Sequence, residues 1–116
     1  ELMDKVQSSK ISTFELSHNP FESVIGADII YTDVWASMGQ KNEAKSREKT
    51  FLKYQVNSAI MSKTNKNTLF MHCLPAERGR ETTDNVMESK NSIVFQQAEN
   101  RMHIQNAIML KLFDKG

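Results

Sequence analysis

Two short apolar runs, each ending on reactive side chains, most constrain the fold of this chain. The first covers residues 27–32 and is followed by Asp33, and the second covers residues 68–72 and ends on His72 and Cys73. Apolar runs of this length are typical of strands in a parallel sheet. Because ligands of such sheets bind at the carboxyl ends of the strands, the two strand ends predict a substrate site.

Helical patterns alternate with strand patterns along the chain. The predicted strands cover residues 11–16, 27–32, 68–72 and 92–95. The predicted helices cover residues 1–7, 21–25, 42–61, a short segment from Thr82 or Thr83 to Glu88, and 98–113. The second helix follows an Asn19-Pro20 start, and the third is either one helix or two abutting ones. Such an alternation indicates right-handed crossovers and a parallel sheet. We therefore expect an α/β fold, a three-layer sandwich around a Rossmann-like sheet.

Composition narrows the class of protein. The 116 residues suffice for one domain, and 15 basic against 14 acidic residues (net charge +1) give no reason to expect nucleic acid or a membrane surface as a partner. The single cysteine excludes an internal disulfide and favours a reducing, cytoplasmic setting. The pattern predicts neither a transmembrane span nor a signal peptide. Since the first residue is Glu1, we expect a fragment or a processed product.

Asp33 allows two interpretations. A carboxylate after a buried strand often caps a helix or accepts a hydrogen bond within its loop. The functional alternative is a counter-ion for a cationic substrate. The segment Ser37-Met38-Gly39 favours the second, because a glycine there permits a mobile flap.

His72 and Cys73 are neighbours at a strand end, so their side chains are expected on opposite sides of the sheet. That arrangement argues against a Cys-His nucleophilic pair, and one cysteine with scattered histidines argues against a metal site. A free cysteine can also be inert core. Pro75 forces a turn, however, which leaves the carbonyls of Cys73 and Leu74 available to a substrate's N–H groups.

Arg101 lies early in the last predicted helix. The ordinary expectation is a solvated guanidinium. The alternative is a guanidinium that faces an anion or a polarised carbonyl, assisted by the helix N-terminus.

Three blocks together, residues 33–40 (DVWASMGQ), 72–75 (HCLP) and 98–101 (AENR), resemble the ornithine carbamoyltransferase family in sequence, order and spacing. The family transfers the carbamoyl group of carbamoyl phosphate to the δ-amine of ornithine, giving citrulline and phosphate. The resemblance implies no metal or organic cofactor, small-molecule substrates, and a parent enzyme that is a homotrimer or a higher multiple.

The resemblance also implies the substrate contacts. Asp33, Ser37 and Met38 would hold the amino-acid end of ornithine, and the Cys73 thiol would lie near the δ-amine. Aspartate, putrescine and acetylornithine carbamoyltransferases resemble the chain around the sheet but lack Ser-Met-Gly, so ornithine is the expected substrate.

On the carbamoyl phosphate side, the backbone of Cys73 and Leu74 would contact the carbamoyl group. His72 and Arg101 would polarise its carbonyl, so that they stabilise charge in the tetrahedral intermediate. The proton that the amine must lose has three candidate acceptors: Asp33, Cys73 and the departing phosphate.

The resemblance covers residues 1–116 as part of the second, ornithine-binding domain, truncated at its N-terminal side. The carbamoyl-phosphate-binding domain, with its Ser-x-Arg-Thr-Arg motif, is absent from the 116 residues, so we expect the fragment alone to be inactive. The alternatives are a carbamoyltransferase for another amine or amino acid, and a non-catalytic ligand-binding α/β module.

Overall fold

A computed structural model describes residues 2–8, 12–36 and 48–114. In chain order the elements are α1 (Leu2–Ser8), α2 (Pro20–Ser23), β1 (Ile29–Thr32), a 3-10 turn (Leu52–Tyr54), α3 (Ser58–Met61), β2 (Leu69–His72), α4 (Asp84–Met87) and α5 (Val94–Phe113). None of these helices is both long enough and apolar enough to cross a membrane.

The two strands run parallel and side by side, as predicted. Ile29 pairs with Leu69 at one end of the ladder, and Thr32 pairs with His72 at the other. Both strands therefore stop at the same level. This register places the residues after them, Asp33 and Cys73, next to each other at the carboxyl edge of the sheet.

The core packs on one face of the sheet. Ile30 and Phe70 are paired in register and are buried on one face. They pack against a core that also contains Val56, Ile60, Val86, Met87 and Val94. Alternation along β1 puts Tyr31 on the opposite face, where its hydroxyl lies 3.1 Å from Nε2 of Gln97 in α5. The predicted α/β class and parallel sheet are confirmed.

Two of the predicted strands are wrong. In the described part of the first, residues 12–16 form no strand, and Leu16 leaves 67% of its surface exposed, so the alternating pattern buries little. In the second, Ser92 forms only an isolated bridge with Phe70. The helical bond from the Gln97 N–H to the Ile93 carbonyl (2.8 Å) then starts α5 at Val94, four residues before the predicted start.

The predicted helix over 42–61 is broken. Residues 42–47 lie outside the described residues, and the 3-10 turn ends at Tyr54. Val56 then pairs with Thr82 in an isolated bridge, which a continuous helix would not allow. The chain re-enters a helix at Asn57, whose Oδ1 accepts the N–H groups of the next turn and so caps α3.

The other helix signals are largely confirmed. The Asn19 side chain caps α2 by accepting the Phe21 N–H at 3.2 Å, and Pro20 is the first helical residue. Gly26, with a φ of 77°, ends that segment in the left-handed region that favours glycine. Helix α4 begins after Thr83, as expected, but the Thr83 side chain makes no capping hydrogen bond.

Candidate active site

Asp33 and Cys73 meet at the carboxyl ends of β1 and β2. The Cys73 thiol donates to Oδ1 of Asp33 across 3.0 Å, and the Val34 N–H donates to the same oxygen at 2.7 Å. Asp33 is exposed and Cys73 is half-buried. Asp33 thus has the local acceptor role that its position allows, and both of its hydrogen bonds from the described residues fall on Oδ1.

The contact between Asp33 and Cys73 shifts the pKa of both side chains. The hydrogen bond from Cys73, followed by that from the Val34 N–H, lowers the pKa of Asp33. The same hydrogen bond, with some burial, raises the pKa of the Cys73 thiol. Both shifts favour a carboxylate beside a protonated thiol. Cys73 therefore serves here as a hydrogen-bond donor, since nucleophilic attack requires the thiolate.

The turn after β2 brings the Cys73 carbonyl to the same edge. Leu74 has a φ of 55°, which is uncommon for a residue other than glycine, and the Leu74–Pro75 peptide bond is cis. Arg101, exposed on α5, directs its guanidinium to the Cys73 carbonyl at 3.5 Å. The structure thus brings three of the predicted residues, Asp33, Cys73 and Arg101, to one edge.

His72 points away from this group, as the alternation of strand side chains requires. Its side chain is completely buried, and Nε2 lies 3.2 Å from Oε1 of Glu81, which is also completely buried. Its Nδ1 accepts the Leu74 N–H at 2.9 Å. Both ring nitrogens are therefore occupied by groups of the protein.

Gln97 connects the site to α5. Its Oε1 accepts the His72 backbone N–H at 3.1 Å, and its Nε2 lies 3.1 Å from the Tyr31 hydroxyl. One amide side chain therefore fixes the last residue of β2 against the helix that carries Arg101, four residues further along.

Ser37 and Met38 lie outside the described residues, so their predicted contacts with ornithine stay predictions. The segment that leads to them borders an open cleft, lined by residues that include Tyr31, Asp33, Trp35 and Tyr54. Another cavity lies beyond the amino end of β2, where Lys66 and Asn91 line it, and it contains none of the predicted site residues.

Sequence reasoning missed Glu81 and Gln97. Glu81 lies between Arg80 and Thr82 in a loop of charged residues, where a solvated side chain is the natural expectation. Gln97 falls in a stretch that was predicted to join a strand to a helix. In neither case does spacing or composition give a signal. Within residues 2–8, 12–36 and 48–114 there is no group of three His, Cys, Asp or Glu that could hold a metal ion.

Known proteins are similar to this chain in sequence and in fold. The family model described as the Asp/Orn binding domain of aspartate/ornithine carbamoyltransferase matches residues 1–112. A chloroplastic ornithine carbamoyltransferase of Pisum sativum is 55% identical over 113 residues, which cover 97% of this chain and 30% of the relative. An ornithine carbamoyltransferase of Thermococcus kodakarensis is 56% identical over 97 residues, which cover 84% of this chain and 31% of the relative.

A solved structure shows the same fold. The ornithine carbamoyltransferase of Pyrococcus furiosus superposes with a TM-score of 0.77 at 53% identity, over 84% of this chain and 31% of that one. The chain spans about a third of the length of the curated relatives it matches. Since the family model matches all but the last four residues, the chain belongs to the aspartate/ornithine carbamoyltransferase family, in its Asp/Orn binding domain.

Proposed function

We propose that this chain supplies the ornithine-binding side of an ornithine carbamoyltransferase active site. The reaction moves the carbamoyl group of carbamoyl phosphate to the δ-amine of L-ornithine and yields L-citrulline and phosphate. The observation that carries this proposal is the Asp33–Cys73 contact at the carboxyl ends of two paired strands, with Arg101 at the Cys73 carbonyl. The whole protein, by this proposal, also holds a separate carbamoyl-phosphate-binding domain.

Asp33 is the counter-ion for ornithine in this proposal. Both of its hydrogen bonds from the described residues fall on Oδ1. Its lowered pKa keeps the group ionised at neutral pH. An exposed carboxylate with a free oxygen suits an ammonium group, which offers several donors. Ser37 and Met38 complete this side of the site, as the family resemblance implies.

The chemistry then proceeds by direct attack. The δ-nitrogen forms a bond to the carbamoyl carbon, and the bond from that carbon to the phosphate oxygen breaks with its electron pair going to phosphate. An alkyl ammonium with a pKa of roughly 10.4 must first lose a proton. Asp33 is a weak base because its pKa is lowered, and Cys73 already holds its proton. The departing phosphate is therefore the acceptor that these two groups favour.

Arg101 stabilises the charge that develops during attack. Its guanidinium lies beside the Cys73 carbonyl, where it can reach the oxygen of a carbamoyl group bound against the 73–74 backbone. Donors aimed at an oxyanion act on the transition state more than on the ground state. His72 was predicted to share this task, but both of its ring nitrogens are bonded within the protein.

Citrulline formation by the full-length protein that carries this chain tests the proposal. We expect turnover with ornithine and far less with N-acetylornithine, putrescine or aspartate, and no turnover by the 116-residue chain alone. Faster turnover with another amine would change the proposed substrate but leave carbamoyl transfer as the proposed reaction. Binding of ornithine without turnover by the full-length protein would instead support a non-catalytic module.

The assembly, compartment and cofactor needs are part of the same proposal. We expect a homotrimer or a higher multiple, which light scattering of the full-length protein measures. We expect a cytoplasmic enzyme, although the Pisum sativum relative is named as chloroplastic. Activity should survive dialysis against a chelator, because no step of the proposed reaction uses a metal ion.

A further inference from the structure

A buried carboxylate lies directly behind the proposed site. Glu81 and His72 are both 0% exposed, and Oε1 of Glu81 faces Nε2 of His72 at 3.2 Å. The same oxygen accepts the Glu77 N–H. The Glu81 carbonyl in turn accepts the Val56 N–H at 2.9 Å, which ties the loop to the core. Glu81 is thus held from both its side chain and its backbone.

The hydrogen bonds determine where the imidazole carries its proton. The backbone N–H of Leu74 donates to Nδ1 of His72 at 2.9 Å, so Nδ1 provides the lone pair. The proton must then lie on Nε2, where it is donated to Glu81. A carboxylate that fixes the tautomer and orientation of a histidine is a recurrent arrangement in enzyme sites.

The bond from Leu74 has a structural consequence. The left-handed backbone of Leu74, at a φ of 55°, costs about 1–2 kcal/mol for a residue with a Cβ and persists only where its surroundings impose it. The Nδ1 acceptor is one such constraint, because it fixes the direction of the Leu74 N–H. Fixing that peptide also fixes the Cys73 carbonyl, which belongs to the same peptide unit.

We propose that Glu81 and His72 are positioning residues for the proposed reaction. Glu81 orients the His72 ring, and the Nδ1 of that ring holds the 73–74 backbone in the conformation that presents its carbonyls to the carbamoyl group. His72 acts through Leu74 rather than by touching the substrate. This inference rests on the proposed carbamoyl transfer, and it assigns a role to Glu81 as well as a new one to His72.

Two substitutions of His72 separate positioning from direct polarisation. In His72→Asn, the amide oxygen can replace Nδ1 as acceptor for Leu74, but nothing replaces Nε2. In His72→Gln, the amide nitrogen can replace Nε2, but the Leu74 N–H loses its acceptor. In steady-state kinetics of the full-length enzyme, kcat should be at least about fivefold higher for His72→Asn than for His72→Gln. That factor corresponds to the low end of the free-energy cost of leaving a buried donor unsatisfied.

The effect should also be confined to one substrate. We expect His72→Gln to lower kcat and raise the KM for carbamoyl phosphate, while the KM for ornithine stays within about twofold because Asp33 is untouched. A kcat for His72→Gln that equals or exceeds that of His72→Asn would show that the Nε2 donor matters most, and it would overturn the proposal.

Glu81 has a matched control in the same loop. Glu81→Gln keeps an acceptor oxygen for Nε2 and should retain most of the activity, whereas Glu81→Met removes the acceptor and should lose at least about fivefold in kcat. Glu77→Gln makes the same glutamate-to-glutamine change at an exposed side chain that pairs with Arg80, and it should leave kcat unchanged. Equal kcat values for Glu81→Met and Glu77→Gln would contradict a positioning role.

A spectroscopic measurement tests the arrangement without any variant. Nitrogen-15 NMR of the His72 ring in the full-length protein should show an unprotonated Nδ1 and a protonated Nε2. A proton on Nδ1 would overturn the proposal. If the wild-type protein makes no citrulline, the proposed function fails, while this spectrum still confirms or refutes the pinned 72–74 turn.

Discussion

The thiol of Cys73 donates to the carboxylate of Asp33 across 3.0 Å, and this contact joins the carboxyl ends of the two strands through their side chains. The neighbouring His72 faces the other way and contacts Glu81 at 3.2 Å. One strand end therefore serves two purposes. Cys73 faces the proposed ligand site, and His72 supports the turn from behind.

The thiol of Cys73 should react slowly with iodoacetamide at pH 8. Its pKa is raised mainly by the Asp33 hydrogen bond, so the thiolate fraction at pH 8 is below that of a free cysteine, whose pKa is roughly 8.5. Asp33→Asn removes this cause and should speed alkylation, as measured by mass spectrometry of the Cys73 peptide. Asp28→Asn, before the amino end of β1, is the control and should change nothing.

The same pair has a defined effect on stability against pH. The raised pKa of Cys73 adds stability that is present below the pKa of the unfolded thiol and is lost as the pH rises through the folded value. The lowered pKa of Asp33 adds stability above the pKa of the unfolded carboxyl that is lost as the pH falls. If Cys73 is alkylated no faster in Asp33→Asn than in the wild type, the Asp33 hydrogen bond does not raise the pKa of the thiol. That result would contradict both the alkylation and the stability expectations.

Phe70 should dominate the stability of the core. It is 0% exposed in β2, whereas Phe113 at the end of α5 is 84% exposed, so the two sites allow one chemical change in opposite environments. We expect Phe70→Ala to lower the free energy of unfolding by about 3–5 kcal/mol. Phe113→Ala should change it by less than about 0.5 kcal/mol. Urea unfolding of the 116-residue chain measures both, and similar costs would show that the core is misplaced.

Much of this architecture is readable from sequence, but only where local signals agree. Both central strands are predicted because compact apolar runs end at turn residues, and α2 because Asn19 and Pro20 are strong start signals. The region around Ile93 and Val94 reads as a strand because β-branched residues favour strands, but the helix begins there once one bridge to Phe70 is made. Contacts with residues distant in sequence therefore decide between strand and helix in this region.

The sequence likewise predicts only some of the residues of the proposed site. Asp33 and Cys73 are recognisable because each follows a strand and matches a family block. Arg101 is recognisable from its block alone, because α5 begins at Val94 and Arg101 lies inside the helix, so the predicted assistance from the helix N-terminus is wrong. Glu81 is not recognisable, because its burial depends on a loop folding back onto His72, and a loop glutamate beside Arg80 looks solvated. A residue that acts through a long-range contact leaves no periodic trace in the sequence.

Arg101 should matter for turnover and little for folding. Arg101→Gln removes a donor proposed to face the developing oxyanion, which we expect to lower kcat by roughly a hundredfold. Arg78→Gln is the matched control, because Arg78 pairs with Asp84 and Glu88 at the surface and such pairs contribute little. Citrulline assays of the full-length enzyme compare them. Equal losses would mean that Arg101 is an ordinary solvated arginine.

The kinetics of Asp33→Asn in the full-length enzyme test the proposed ornithine site most directly. Loss of one charge-assisted hydrogen bond is worth about 1.5–3 kcal/mol, so we predict that the KM for ornithine rises by roughly ten- to a hundredfold. The KM for carbamoyl phosphate should stay nearly unchanged, because Asp33 is proposed to touch only the amine substrate. An equal rise in both constants would show that Asp33 merely supports the end of β1, and it would contradict the assignment.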